Sequence, residues 1–172
     1  MAPKQPQNLY FIGFMGTGKS AISTHLSRHI GRPVVEMDEE LARLEGLSIP
    51  QIFAEKGETY FRDQETQLLH NLSQKSNLIV SCGGGVVLRP ENIATMQRSG
   101  IILLLEASPE TILERVSRNN QRPLLQGRKT VADIQAMLDA RQPYYDQAAT
   151  GRISVDGKTI HQICQEIQAR WL

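Results

Sequence analysis

The sequence predicts an α/β protein whose parallel sheet is covered by helices on both faces. Short apolar runs rich in β-branched residues alternate five times with longer amphipathic stretches along the 172 residues. Such alternation is typical of parallel strands connected by helices. A second observation is composition, because 40% hydrophobic and 22% charged residues are ordinary for one compact globular domain and exclude wholesale disorder.

The elements follow from the spacing of the apolar residues. The runs predict strands at 9–12, 34–35, 78–80, 101–105 and 153–155. Helical spacing predicts helices at roughly 19–30, 58–75, 90–98, 109–118, 130–148 and 159–171. Because ligands of such sheets bind beyond the carboxyl ends of the strands, the residues after each run are the place to look for chemistry.

Bulk properties exclude several classes of protein. A net charge of +1 gives no general attraction to nucleic acid or to anionic lipid, so neither is an expected partner. No apolar run is long enough to span a membrane, the N-terminus lacks the apolar region of a secretory signal, and the two cysteines provide no disulfide framework. We therefore expect a cytoplasmic protein. The sequence is silent on oligomeric state, and a monomer is the expectation.

The first predicted strand is followed by a phosphate-binding pattern. Residues 13–20 read Gly-Phe-Met-Gly-Thr-Gly-Lys-Ser, which matches G-x-x-x-x-G-K-[ST] between a strand and a helix. Glycines let backbone N–H groups converge on phosphate oxygens, and the helix that begins near Lys19 directs its positive end at them. We expect Lys19 to reach the β- and γ-phosphates and the Ser20 hydroxyl to bind Mg²⁺. The absence of D-x-x-G and N-K-x-D argues against a regulatory GTPase and leaves a small kinase.

Two further strand ends carry unusual residues. The alternation of a strand would place Glu36 and Asp38 on one face near the phosphate site, where carboxylates suit Mg²⁺ and an acceptor hydroxyl. The alternative is that Asp38 is the N-cap of a helix. The third strand leads into Gly83, Gly84 and Gly85, which are explained by a close approach of ligand to backbone or, alternatively, by a plain turn.

Arginines form the remaining candidates. The segment 115–129 is basic, has no acidic residue and has the composition of a mobile loop, so it is a candidate lid over a bound triphosphate. A solvated surface loop is the alternative. Arg62 is either a ligand-binding residue or one half of an exposed pair with Glu58, and Arg141 is equally compatible with a pair at a helix end.

Taken together in order and spacing, these residues resemble the shikimate kinase family. The match comprises residues 13–20, 35–38, 61–62, 82–85, 122–125 and 141–144, and it runs from about residue 8 to the C-terminus. The resemblance implies a P-loop kinase fold with three α/β/α layers and a five-stranded parallel sheet of order 2-3-1-4-5. It implies one domain over 1–172, with an acceptor-binding segment at about 36–66 and a lid at about 115–129. The implied reaction transfers the ATP γ-phosphate to the 3-hydroxyl of shikimate, in aromatic amino-acid biosynthesis, with one Mg²⁺ ion.

The resemblance also implies roles for individual residues. The catalytic set is Lys19, Asp38 and Arg122, with Arg122 as the lid arginine. The nucleotide-binding set is Gly16, Thr17, Gly18, Lys19, Ser20, Ala21, Arg115, Arg122 and Lys158, with Arg115 stacking on adenine. The shikimate-binding set is Asp38, Arg62, Gly83, Gly84, Gly85 and Arg141. Mg²⁺ is bound by Ser20 and, through water, by Glu36, at which position the family usually has Asp.

Two other functions remain open at this point. A related kinase for another acceptor, such as gluconate or a nucleoside monophosphate, would carry the same P-loop. A binding module that holds nucleotide without transferring phosphate is the non-enzymatic alternative; the presence of Asp38 and the arginines argues against it, and Glu36 is the one feature in its favour. The four histidines have no metal-binding partners at a useful spacing, so we expect them to be structural or exposed.

Overall fold

Five parallel strands form a single sheet in the order β2-β3-β1-β4-β5. The computed structural model describes residues 7–118 and 130–172. The strands are β1 (Asn8–Ile12), β2 (Val34–Glu36), β3 (Ile79–Ser81), β4 (Gly100–Glu106) and β5 (Gly151–Ser154). Every neighbouring pair is parallel, so the carboxyl ends of all five strands meet at one edge. The predicted fold class and strand order are confirmed.

Helices connect the strands and cover both faces of the sheet. They are α1 (Lys19–Ile30), α2 (Met37–Glu45), α3 (Ile49–Ser73), α4 (Pro90–Ser99), α5 (Pro109–Ser117), α6 (Val131–Ala148) and α7 (Ile160–Trp171), and a 3-10 turn spans Val86–Leu88. Within residues 7–118 and 130–172, no helix combines the length and apolar character needed to cross a membrane.

Strand β1 shows why the sheet is the middle of three layers. Its residues are all buried, and successive side chains point to opposite faces. Leu9 and Phe11 belong to an apolar cluster with residues of α1 and α7. Tyr10 and Ile12 belong to a second cluster, with residues of α3, α4 and α6. A strand that is apolar on both faces is what a doubly covered parallel sheet requires.

The end of the second strand differs from the prediction. Strand β2 ends at Glu36 and α2 begins at Met37, so Asp38 lies in the first turn of a helix and not on the strand. Asp38 is not the N-cap either, because that position is Glu36. The helix starts early because Met37 is fully buried, and because the acidic residues 38–40 are favoured at the positive end of a helix.

Helix α3 also begins earlier than the predicted 58–75. Ser48 caps its N-terminus in a reciprocal capping box with Gln51. Gly57, at φ 86° and ψ 168°, interrupts the helix and separates residues 49–56 from 58–73. The sequence analysis found only the second part, whose apolar residues recur at helical spacing. The first part, together with α2, forms a wall over the carboxyl edge of the sheet.

Burial of the Met37 side chain should be a main contribution to the packing of α2 against the rest of the protein. We expect Met37→Ala to lower the free energy of unfolding by about 2–5 kcal/mol, because it leaves a cavity under the helix. The matched control is Leu44→Ala on the same helix, whose side chain is 57% exposed and whose loss should cost less than about 0.5 kcal/mol. Urea unfolding monitored by circular dichroism measures both. Equal effects of the two substitutions would contradict this account of α2.

Candidate active site

A cleft of about 640 Å³ opens at the carboxyl edge of the sheet. The segments that follow β1 and β3 and the start of α2 form its floor, and α3, α5 and α6 contribute side chains to its walls. The predicted residues that line it are Gly16, Gly18, Lys19, Ser20, Ala21, Glu36, Asp38, Arg62, Gly83, Gly84, Gly85, Arg115 and Arg141. The structure thus brings together residues that are up to 125 positions apart in the chain.

Two predicted residues of the described part of the chain are not in that lining, and a third is not described. Thr17 is buried beneath the loop, where its hydroxyl donates to the Phe14 carbonyl oxygen at 2.8 Å. The Lys158 ammonium lies 2.7 Å from a carboxylate oxygen of Glu166, outside the cleft. Arg122, with residues 119–129 of the predicted lid, lies outside the described residues.

The loop of residues 13–18 is shaped by glycines in left-handed conformations. Gly13, Gly16 and Gly18 have φ values of 145°, 82° and 92°, which side chains other than glycine rarely adopt. Gly18 is the N-cap of α1 and offers no side-chain acceptor to the first N–H groups of that helix, whose first turn also lacks an acidic residue. Helix N–H groups without a side-chain acceptor suit an anion such as phosphate.

Two cations lie on this loop. Lys19 Nζ donates to the carbonyl oxygens of Gly13 and Phe14 at 2.7 and 3.0 Å. Arg115 Nη1, from α5, donates to the Gly16 carbonyl oxygen at 3.0 Å. A phosphate oxygen is a stronger acceptor for either group because such a bond is charge-assisted on both sides. The loop therefore holds positive charge where its glycines admit a phosphate.

Ser20 and Glu36 place oxygen ligands beside the loop. Ser20 Oγ donates to Glu36 Oε2 at 2.9 Å, which joins the first turn of α1 to the end of β2. Burial raises the pKa of Glu36, and hydrogen bonds from Ser81 and Ser20 oppose that effect. A hydroxyl and a carboxylate are hard oxygen donors of the kind that Mg²⁺ prefers. The residues present therefore fit a magnesium ion.

Arg62 is buried and held by a second residue of its own helix. The residue is only 7% exposed, and Nη1 donates to Glu65 Oε1 at 2.9 Å. The predicted pair with Glu58 also exists but is longer, at 3.6 Å, and involves a side chain that is mostly exposed. Burial raises the pKa of Glu65, and the charge of Arg62 opposes that effect. The sequence analysis gave no role to Glu65, although its i,i+3 spacing from Arg62 was visible.

Several buried polar atoms of the cleft have no hydrogen-bond partner. Around Gly83–Gly85 they are Asp38 Oδ1, Arg62 Nε, Glu65 Oε2 and Arg141 Nη1, and beside Ser20 there is also Glu36 Oε1. Buried polar atoms are nearly always satisfied in folded proteins, because leaving them unpaired is unfavourable. Two carboxylates and two guanidinium groups with spare bonding capacity suit a ligand that carries both hydroxyl and carboxylate groups.

The three glycines after β3 make room for these side chains. A Cβ atom at Gly83 would lie 2.9 Å from Glu65 Oε2 and 3.0 Å from Asp38 Oδ1. One at Gly84 would lie 3.2 Å from Arg141 Nη1, and one at Gly85 would lie 2.4 Å from Arg62 Nη2. Gly84 and Gly85 lie in a turn that is closed by a 3.1 Å hydrogen bond from the Val86 N–H to the Gly83 carbonyl oxygen. None of the three glycines has a positive φ, so the turn alone does not call for glycine. The close approach of the site's own side chains gives a second reason for the absence of a Cβ atom.

Tyr145 was missed by the sequence analysis and fixes the glycine segment to α6. Its hydroxyl donates to the Gly84 carbonyl oxygen at 2.8 Å, and burial raises its pKa to about 12. Arg141 lies one turn earlier on the same helix, with its guanidinium carbon 5.5 Å from the centre of the Phe14 ring. The tyrosine therefore ties the helix that carries Arg141 to the glycines that it approaches.

Comparisons with known proteins agree with this geometry. The family model described as shikimate kinase matches residues 15–171. A shikimate kinase of Desulforudis audaxviator is 42% identical over 168 residues, which are 95% of this chain and 88% of that protein. One of Dehalococcoides mccartyi is 39% identical over 165 residues, which are 96% of this chain and 93% of that protein.

Solved structures give the same result. The shikimate kinase from Acinetobacter baumannii in complex with shikimate has a TM-score of 0.90 and 32% identity, covering 95% of this chain and 91% of that one. The enzyme from Aquifex aeolicus has a TM-score of 0.82 and 36% identity, with 94% of each chain covered. A gluconokinase from Sinorhizobium meliloti, at 16% identity and a TM-score of 0.60, shares the fold alone.

The contact between Gly85 and Arg62 should be measurable as an energetic coupling. We expect Gly85→Ala to lower the free energy of unfolding by about 1–3 kcal/mol, because the new methyl group overlaps a buried guanidinium. Backbone strain does not confound the test, since Gly85 has a φ of −101°. In an Arg62→Ala background the same substitution should cost much less, as measured by a double-mutant cycle. Additive effects would disprove the proposed steric reason for this glycine.

Proposed function

The chain belongs to the shikimate kinase family, and on that premise we propose that this cleft transfers the γ-phosphate of ATP to the 3-hydroxyl of shikimate. The observation that carries the proposal is the convergence of unpaired polar atoms of Asp38, Arg62 and Arg141 in the same cleft as Lys19. An acceptor with hydroxyls and a carboxylate would satisfy these atoms. Gluconate and nucleoside monophosphates remain competitors to be included in an acceptor panel.

In this proposal the two arginines bind the carboxylate of shikimate. A guanidinium group forms paired, charge-assisted hydrogen bonds with a carboxylate. Arg62 is already fixed by Glu65, and Arg141 is held beside the glycine segment, so little side-chain freedom is lost on binding. The backbone of residues 83–85 lines the acceptor site between them. The acceptor-binding segment at 36–66 supplies Asp38 and Arg62 from one continuous stretch of chain.

Asp38 would orient the acceptor hydroxyl and accept its proton. The carboxylate has a buried oxygen without a partner, which is available to a hydroxyl donor. Phosphoryl transfer passes through a loose transition state, so positioning the hydroxyl contributes more than deprotonating it early. As the hydroxyl oxygen bonds to the γ-phosphorus, the bond between that phosphorus and the β,γ-bridging oxygen would break, ADP would leave, and the hydroxyl proton would pass to the Asp38 carboxylate.

Lys19 would neutralise charge on the phosphates. Its ammonium would exchange the carbonyl oxygens of Gly13 and Phe14 for phosphate oxygens, and residues 16–21 would surround the phosphate chain. Arg115 lies on the same loop and would contact the nucleotide, whereas the roles of Arg122 and Lys158 remain predictions from the family resemblance. A lid at 115–129 closing over ATP, a single domain over 1–172, a monomeric state and a cytoplasmic location also remain predictions.

Mg²⁺ would be bound by the Ser20 hydroxyl and, through water, by Glu36. When bound, the ion neutralises charge on the β- and γ-phosphates. The chain contributes the fixed spacing of these two oxygens, set by the hydrogen bond between α1 and β2.

Arg62 should affect the acceptor and not the nucleotide. We expect Arg62→Ala to raise the KM for shikimate about 10- to 100-fold, because charge-assisted hydrogen bonds are lost, with the KM for ATP nearly unchanged. Steady-state kinetics with each substrate varied in turn measures this split. Because Arg62→Ala also leaves the buried Glu65 carboxylate without its partner, Arg62→Lys serves as a second variant. It too should raise the KM for shikimate and leave the KM for ATP nearly unchanged. Arg43→Ala, at an exposed arginine of α2, is the control. Loss of ATP affinity with normal shikimate saturation would refute the assignment.

Lys19 should be indispensable for turnover. We expect Lys19→Ala to reduce kcat by at least about 100-fold, because the charge that stabilises the transferring phosphoryl group is removed. An assay of ADP release with shikimate, gluconate and nucleoside monophosphates as acceptors measures both the loss and the acceptor preference of the wild type. Lys56→Ala, at an ammonium group paired with Glu45 on the surface, is the control. A Lys19→Ala variant with normal kcat would remove the P-loop lysine from the mechanism.

A further inference from the structure

Three histidines from two helices meet outside the active-site cleft. His25 and His29 lie one turn apart on α1, and His161 lies in the first turn of α7. One nitrogen atom from each ring lies within 4.8 Å of those of the other two. The sequence analysis expected no metal-binding partners for the histidines: it gave no weight to the i,i+4 spacing of His25 and His29, and the helix packing that brings His161 to α1 is not visible in the sequence. Among the described residues it is the one such grouping of histidine, cysteine and acidic side chains.

The three imidazole rings pack against one another. The centroids of His25 and His29 are 4.4 Å apart with nearly parallel rings, and each lies 5.9 Å from the centroid of His161. Histidines at i and i+4 share one face of a helix, which is the arrangement that many zinc sites use for two of their ligands. The third ligand then comes from a neighbouring element, as His161 does here.

Hydrogen bonding leaves two ring nitrogens available as ligands. His29 Nδ1 lies 2.9 Å from the His25 carbonyl oxygen, and since a carbonyl only accepts, Nδ1 carries the proton and Nε2 keeps its lone pair. A backbone hydrogen bond of this kind orients the histidine ligands of metal sites. His25 Nε2 is buried and has no hydrogen-bond partner. A buried nitrogen without a partner is an exception that a bound ion would explain.

We propose that His25, His29 and His161 bind one transition-metal ion of the Zn²⁺ type, with water completing the coordination. Three imidazoles and no carboxylate favour zinc, copper, nickel or cobalt over Mg²⁺ and Ca²⁺, which prefer oxygen. Tetrahedral zinc with bonds of about 2.0–2.1 Å needs nitrogens about 3.4 Å apart. His29 and His161 are exposed, so their side chains have room to rotate toward an ion.

The site is chemically distinct from the proposed magnesium site yet lies on the same helix. Helix α1 begins at Lys19 and Ser20 and carries His25 and His29 further along. A shallow pocket lined by Ser20, Glu36 and His25 lies between the two places. An ion bound by the histidines would cross-link α1 to α7, which already pack together through Ile22 and Cys164.

Metal titration of tag-free protein tests the proposal. We expect one Zn²⁺ ion per chain by calorimetry, with a Kd in the micromolar range or below, and Co²⁺ absorption bands of a nitrogen-ligated site. At a 100-fold excess of Zn²⁺ over Kd the Tm should rise by about 5–10 °C. His29→Gln and His161→Gln should each weaken binding at least tenfold and abolish the rise in Tm.

Two controls separate this site from other places where a metal binds. His70→Gln removes the one remaining histidine, an exposed residue of α3, and should leave the affinity unchanged. Glu36→Gln alters the oxygen site beside the P-loop and should also leave it unchanged. The proposal is overturned if the wild type binds no stoichiometric Zn²⁺ or Co²⁺, or if both His29→Gln and His161→Gln bind as the wild type does. If one of these two variants does not fold, the metal affinity of the other decides the test.

Discussion

The parallel direction of all five strands is the constraint on which the site depends. Because every strand runs the same way, the segments after β1, β2 and β3 emerge at a single edge of the sheet. The glycine loop, Glu36 and the glycines 83–85 therefore meet at that edge, although α2 and α3 lie between Glu36 and Gly83 in the chain. The helices then add side chains from above that edge, and the two apolar faces of the sheet hold them at fixed positions.

Buried charged side chains are the second feature of this edge of the sheet. Arg62 and Glu65 are both buried, and such a pair is stable only when its partners are fixed and the remaining polar atoms are satisfied. The glycine backbone admits the pair, and Tyr145 holds that backbone in place. Buried polar atoms without a hydrogen-bond partner remain on Asp38, Arg62, Glu65 and Arg141. A hydroxylated carboxylic acid would supply hydrogen-bond partners for them. In the proposed function, selection of the acceptor would depend on the contacts that also stabilise the fold.

The sequence predicted the features that depend on local pattern. The P-loop is such a feature, because its glycine and lysine spacing is fixed by phosphate geometry, and the strands of the sheet are others. Tertiary contacts decided what was wrong or missed. The burial of Met37 starts α2 early and moves Asp38 from strand to helix. The approach of Asp38, Glu65, Arg62 and Arg141 to Gly83–Gly85 is a further reason for these glycines that the sequence did not show, and the approach of a ligand to them stays a prediction. The roles of Glu65 and Tyr145 depend on packing between elements, to which the sequence gives no direct signal.

The family usually has aspartate at position 36, where this chain has Glu36. The position of this residue at the end of β2 leaves room for the longer side chain. The strand stops at this residue, and the glutamate side chain extends far enough to accept a hydrogen bond from Ser20 on α1. A half-buried carboxylate is destabilised by desolvation, as its raised pKa indicates, and neutral hydroxyl donors compensate only in part. A divalent cation beside Ser20 would supply the missing positive charge. The longer side chain is thus compatible with a magnesium site, and it does not favour a module that has lost phosphoryl transfer.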